Sequence, residues 1–149
     1  MLNNIDVSLL ELKIVNSEDA TVPYFELNNN GISCKITTSM KVNENYSLAN
    51  TDRLIYLTIT AGTTPPDEIY LSQEFTKIPN SQDIFSIQSD IFIDKKYLID
   101  EHEHLKYDFA NVSLSYTHKH PGEMGVGESI RVGTFFKTKV PILDIRGGK

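Results

Sequence analysis

The amino-acid sequence predicts an all-β protein, either an antiparallel two-layer β-sandwich or a jelly-roll-like fold, with seven to eight strands and at most one short helix. Short segments that alternate apolar and polar residues recur along the chain, as strands with one buried face do. Turns rich in Asn, Gly, Pro and Asp separate them. No regular crossover helices are visible, which argues against a parallel α/β sheet. We expect a single β-domain over residues 1–149, with a helix-covered single sheet as the alternative.

The clearest predicted strand runs from Ile32 to Val42. Its even-numbered positions are mostly apolar, and its odd-numbered positions are Ser, Lys or Thr. This pattern predicts one face in the core and one in water. Cys34 belongs to the apolar set, so we expect a small buried side chain rather than a catalytic thiol. The preceding Asn28-Asn29-Asn30-Gly31 offers residues that tolerate positive φ, which predicts a tight hairpin turn.

Two further predicted strands follow. From Arg53 to Ala61 apolar residues occur on both faces, which indicates a strand that is covered on both sides or that lies at an interface. From Ile69 to Thr76 the alternation predicts a one-sided strand, with Ile69, Leu71 and Phe75 directed toward the core.

The remaining segments are less regular. From Ile5 to Val15 the apolar residues change phase, and a bulge near Leu9 and Leu10 would reconcile them with one strand. An apolar segment from Ile84 to Ile93 comes before residues 94–106, where a capping Asp and few β-branched residues allow one short helix. A last strand is expected from Ser129 to Pro141.

Composition limits the classes of partner. The formal charge is −6 and the fourteen Lys and Arg are scattered, which argues against binding to nucleic acid or to an anionic membrane. No apolar run approaches the roughly twenty residues that span a bilayer. The single cysteine excludes an intramolecular disulfide, and the first residues lack the basic region of a signal peptide, so we expect a cytoplasmic protein.

All four histidines lie between His102 and His120, in two pairs with one residue between the partners. Two such pairs on facing strands could give four nitrogen ligands to a metal. A hairpin through Asp108 to Asn111 would bring them together. With Leu105 and Tyr107 on the core side, however, His102 and His104 fall on the opposite face, so this register separates the two pairs.

The second pair supports a smaller metal site. His118, His120 and Glu123 supply two imidazoles and a carboxylate, a set that suits Fe(II) or Zn(II) with open coordination positions. This spacing resembles the HxH followed by Glu of cupins, which are themselves jelly-roll-like. The resemblance covers only the stretch from His118 to Glu123. It implies a metal-binding protein or metal-dependent enzyme, with Zn or Fe as cofactor.

No other stretch predicts catalysis. No serine stands in a nucleophile-elbow context, and Cys34 lies on a core face, so no catalytic residue and no resident cofactor are expected. The leading hypothesis is a non-catalytic protein-interaction or assembly module that forms homo-oligomers. A virion or tail component, an immunity-type protein and a binding chaperone all fit this description equally well. Binding of a small molecule inside the sandwich is a further possibility that requires a pocket.

Overall fold

The computed structural model describes residues 7–42, 54–62, 68–77, 84–117 and 132–147. Within these ranges the chain forms nine strands and one three-residue 3-10 helix, Lys95–Tyr97, which confirms the predicted fold class. The strands are β1 (Val7–Val15), β2 (Thr21–Val22), β3 (Phe25–Leu27), β4 (Gly31–Val42), β5 (Leu54–Ala61), β6 (Ile69–Lys77), β7 (Ile84–Asp94), β8 (Phe109–Thr117) and β9 (Val132–Asp144).

The strands form two layers. In one, β4 pairs antiparallel with β1 on one side and with β7 on the other. In the other, the order is β6-β5-β8-β9, again antiparallel. The chain passes between the layers from β4 to β5, from β6 to β7 and from β7 to β8. This is the strand order of immunoglobulin-like sandwiches, so the sandwich alternative is the better description.

The short strand β3 joins the two layers. It pairs antiparallel with the start of β4, where Leu27 lies opposite Ile32, and parallel with the end of β9, where Phe25 lies opposite Ile142. This parallel pair departs from the all-antiparallel arrangement that we expected. It makes the two layers continuous on one side, as a curled sheet, whereas β6 and β7 lie at the other side.

The core lies between the layers and is built from the alternating inward residues of both. Most of its large side chains are aliphatic, as the strand-like periodicity predicts. The largest fully buried side chains are Phe25, Leu27, Ile32, Ile36, Met40, Ile55, Ile59, Ile93, Leu98, Val112 and Leu114. Cys34 packs against this core and is half-buried.

The hairpin turn before β4 forms where the sequence predicts it. The Asn28 amide donates to the Gly31 carbonyl over 2.9 Å, and the Asn28 side-chain oxygen accepts from the amides of Asn30 and Gly31. Gly31 has a φ of 140°, in the region that favours glycine. The expected bulge in β1 is also present, since the pairing with β4 shifts between Leu9 and Glu11.

The prediction for β6 is wrong in its second half. Along β5 the pairing moves from Ile59 opposite Ser72 to Thr60 opposite Tyr70, so Leu71 is an extra residue in a bulge. The bulge exchanges the two faces of the strand. Phe75 therefore lies on the outer face of the sheet, with 63% of its surface exposed, while Leu71 still packs against the core.

Residues 95–108, between β7 and β8, contain turns and one isolated β-bridge between Ile99 and Leu105. The expected helix is a single 3-10 turn, which starts where the Asp94 carboxylate accepts from the Lys96 amide. The hairpin through Asp108 to Asn111 that a four-histidine site would need does not form, because Asn111 lies inside β8 and is paired with both β5 and β9. Within the described ranges, no helix is long and apolar enough to cross a bilayer.

Candidate interaction site

The predicted metal ligands cannot be placed. His118, His120 and Glu123 lie outside the described residues, so the cupin-like site remains a prediction from the sequence. Elsewhere, in the parts of the chain that the structure describes, no three His, Cys, Asp or Glu side chains gather as metal ligands would. Elemental analysis of untagged protein and a thermal shift with Zn(II) or Fe(II) test the site, and two negative results would exclude it.

The first histidine pair lies in an exposed turn. The Asp100 carboxylate accepts from the amides of His102 and His104, over 2.8 and 2.9 Å, and so closes the turn. Both imidazoles are mostly exposed, as the predicted strand register requires. The hydrogen bond from the His104 amide is the main cause that lowers the pKa of Asp100. This carboxylate therefore holds the turn together.

The same turn is tied to the end of the chain. Arg146 forms two short hydrogen bonds with the Asp144 carboxylate, 2.8 and 2.9 Å long, and donates to the Glu103 carbonyl over 2.8 Å. These contacts raise the pKa of the guanidinium, chiefly through the hydrogen bonds to Asp144. The turn and the end of β9 thus support each other, which is a structural role.

Cys34 does not have the surroundings of a reactive thiol. Cys34 lies opposite the buried Ile91 of β7, and burial raises the pKa of the thiol to about 12. A catalytic cysteine needs a lowered pKa, because the thiolate is the nucleophile. The position therefore fits the packing role that the sequence predicts.

A shallow polar groove of about 300 Å³ crosses the outer face of β5, β6, β8 and β9. Thr58 and Thr60 line it and are almost fully buried, so β5 is covered on both faces, as expected, although its outer face is polar. The buried groups of the groove bind one another. Thr60 donates to Glu68 over 2.6 Å, and the amide groups of Asn111 and Gln73 donate to Thr60 and Thr58.

This network accounts for the groove without a ligand. Buried polar groups in folded proteins have hydrogen-bond partners, and here neighbouring strands supply them. Ser115 and Thr134 complete the pattern with a contact of 3.0 Å between their hydroxyl oxygens. The buried polar groups of the groove are thus hydrogen-bonded to one another. The groove lies on the outer face of the sheet, whereas small-molecule binding inside the sandwich requires a pocket in the core.

The strand β7 presents a different surface. Among the described residues it pairs with β4 and with no other strand, and its eleven residues match β4 without a bulge. The Lys95 amide donates to the Asn30 carbonyl in the direction of β4, over 3.2 Å. Because amide directions alternate along a strand, the odd-numbered residues of β7 bond to β4 and the even-numbered residues direct their N–H and C=O groups to the free edge.

The free edge of β7 lacks most of the features that normally block pairing, and its only charge before the last residue is Asp90 on the outer face. Natural edge strands carry lysines, prolines or bulges, which prevent another strand from adding. The sequence of β7, IFSIQSDIFID, has no Lys and no Pro, and its outer face exposes Ile84 and Phe92, each 57% accessible. By contrast, β1 at the opposite edge has a bulge and a lysine, and β2 covers its end.

Sequence reasoning located the apolar segment of β7 but missed that it is an edge. The absence of blocking residues was readable in the sequence. Which strand stands at the edge depends on pairing between distant segments, such as Cys34 with Ile91. The absence of blocking residues therefore indicates an interaction site only in the context of the folded sheet.

Comparisons with known proteins add no functional argument. No family model matches the chain, and no curated protein matches it. A solution structure of an Arabidopsis thaliana protein is similar over 93% of this chain and 81% of that one, with 15% identity and a TM-score of 0.46. A Listeria innocua β-glucosidase bound to glucose is similar over 94% of this chain, with 9% identity and a TM-score of 0.42. This chain spans only 16% of the length of that enzyme.

Proposed function

We propose that this protein is a non-catalytic interaction module of the cytoplasm, which assembles into homo-oligomers by adding a strand to the free edge of β7. The observation that carries the proposal is the long, regular and unblocked edge of β7. An extended strand that adds to such an edge gains backbone hydrogen bonds from every second residue. Exposed Ile84 and Phe92 add apolar contact on the outer face.

The chemistry of the rest of the described chain supports an interaction role. The one cysteine thiol is kept protonated by burial, the histidine turn is closed by its own backbone, and the polar groove satisfies its own buried groups. The edge of β7 has unused hydrogen-bonding groups in a regular row, whereas the edge of β6 is interrupted by the bulge at Leu71. Pairing with another strand would satisfy them.

The substitution Gln88→Pro tests the proposal. The amide of Gln88 belongs to the free-edge set, so proline removes a donor from the edge and leaves the hydrogen bonds with β4 intact. We expect the wild-type protein to associate reversibly in sedimentation experiments from micromolar concentration upward. The Gln88→Pro variant should stay monomeric while its circular dichroism spectrum is unchanged.

The matched control is Gln88→Thr, which keeps the amide and has a high preference for strands. This variant should associate like the wild type. A wild-type protein that remains monomeric at every concentration would contradict the proposal, and so would a folded Gln88→Pro variant that associates normally.

A further inference from the structure

We infer that the occupant of the β7 edge is the β7 strand of a second copy of this chain, antiparallel and centred on Gln88, so that assembly stops at a closed twofold dimer. This inference rests on the proposed function and specifies its geometry. It follows from the sequence of β7 once the inward, outward and edge directions of each residue are known.

The faces of the strand restrict the possible registers. The odd-numbered residues of β7 face the core and the even-numbered residues face outward, as their burial shows. In a sheet that continues from one copy into the other, the cores of both copies lie on the same side of the sheet. This requires each odd-numbered residue of one β7 to pair with an odd-numbered residue of the other, and each even-numbered residue with an even-numbered one. The twofold axis must therefore pass through a residue, not between two residues.

The side chains select among these registers. An axis at Gln88 places Ile84 opposite Phe92 of the second copy, which joins the two exposed apolar side chains of the strand. The same axis places Ser86 opposite Asp90, so no two charges of like sign meet. An axis at Asp90 would bring two carboxylates together, and an axis at Ser89 would place Phe92 opposite Ser86.

The backbone agrees with this register. Gln88, Ser86 and Asp90 are even-numbered, so their amides and carbonyls are the ones directed to the free edge. Each opposed pair can exchange two hydrogen bonds, and the full overlap gives about ten across the two copies. The product is one continuous sheet, in which β1-β4-β7 of one copy are followed by the same strands of the second copy in reverse order.

Twofold pairing also explains why assembly would end at two copies. Each copy uses its β7 edge once, and the axis makes the contact self-complementary, so no unpaired β7 edge remains. A contact between single strands is smaller than a standard protein interface. We therefore expect a dimer that dissociates in the micromolar range.

Single cysteines test the register in a Cys34→Ala background. Opposed residues of a hydrogen-bonded pair lie about 5.5 Å apart between Cα atoms, within the range of a disulfide. Gln88→Cys should therefore form a disulfide-linked dimer under mild oxidation. Ser86→Cys alone should not, because its two copies would lie about 14 Å apart along the sheet.

A mixture of Ser86→Cys and Asp90→Cys proteins should cross-link to each other although neither does so alone. The Cys34→Ala background alone must give no cross-linked dimer. If Gln88→Cys instead couples with Asp90→Cys and not with itself, the axis lies at Ser89 and the inferred register is wrong.

The outcomes separate this inference from the proposed function. If Gln88→Pro abolishes association but none of these cysteines cross-links, the edge is used and the antiparallel twofold pairing is wrong. Species larger than a dimer in sedimentation would likewise overturn the closed dimer. If Gln88→Pro has no effect on association, both ideas fail together.

Discussion

At the scale of single residues, Gly31 is restricted to glycine both by its backbone conformation and by the close approach of another strand. Its φ of 140° is open to glycine, and a Cβ built there would lie 2.1 Å from the Ile93 carbonyl oxygen on β7. The contact is with backbone, so no side-chain movement can relieve it. The sequence indicated the turn, but the close approach of β7 is a tertiary feature.

We predict that Gly31→Ala lowers the free energy of unfolding by at least about 2 kcal/mol, since the backbone is strained and the β4–β7 pairing must shift. Urea denaturation followed by circular dichroism measures the change. The matched control is Asn30→Ala in the same turn, at an exposed position, which should change stability by less than about 0.5 kcal/mol. Equal stability of the two variants would contradict this reading of Gly31.

At the scale of elements, β6 and β7 show how one extra residue decides which side chains are buried. Phe75 was expected in the core, and the bulge at Leu71 places it outside, where its ring contacts Tyr56 at 5.7 Å between centroids. Phe85 on β7 has no such bulge before it and is buried. Alternation alone does not reveal a bulge in β6, because the extra residue is defined against its partner β5.

We predict unequal costs for truncating these two phenylalanines. Phe85→Ala should destabilise the fold by about 3–5 kcal/mol, because it leaves a cavity in the core. Phe75→Ala should cost about 1 kcal/mol, chiefly the contact with Tyr56. Chemical denaturation of both variants gives the comparison, and a loss at Phe75 as large as that at Phe85 would show that the β6 register is not the one described.

At the scale of the whole molecule, the two layers are joined on one side and open on the other. The β3–β9 pairing closes the first side, and β7 leaves hydrogen-bonding groups unused on the second. A ligand or partner that binds the folded state raises its stability by mass action. If the protein dimerises through β7 as proposed, the stability of the fold depends on protein concentration.

We predict that the melting temperature of the wild-type protein rises as its concentration increases through the micromolar range. Differential scanning calorimetry at several concentrations measures this effect. The melting temperature of Gln88→Pro should be independent of concentration, because this variant cannot use the edge. A wild-type melting temperature that is equally constant would argue against assembly in this range.

The sequence by itself determined the all-β class, the positions of the main strands, the bulge in β1 and the turn from Asn28 to Gly31. These features depend on alternation and on turn-forming residues within short segments, so the local sequence is enough to predict them. The water-facing position of His102 and His104 was also predicted correctly, although the turn that holds them was not foreseen.

Only the tertiary structure decided the parallel β3–β9 pairing, the exposed position of Phe75 and the place of β7 at an edge. Each depends on which distant segment lies alongside, and the pairing of strands far apart in the chain cannot be read from one segment alone. The interaction site proposed here belongs to this second group. The sequence shows the residues of β7, but its free hydrogen-bonding groups follow from the pairing, with β4 on one side and no described strand on the other.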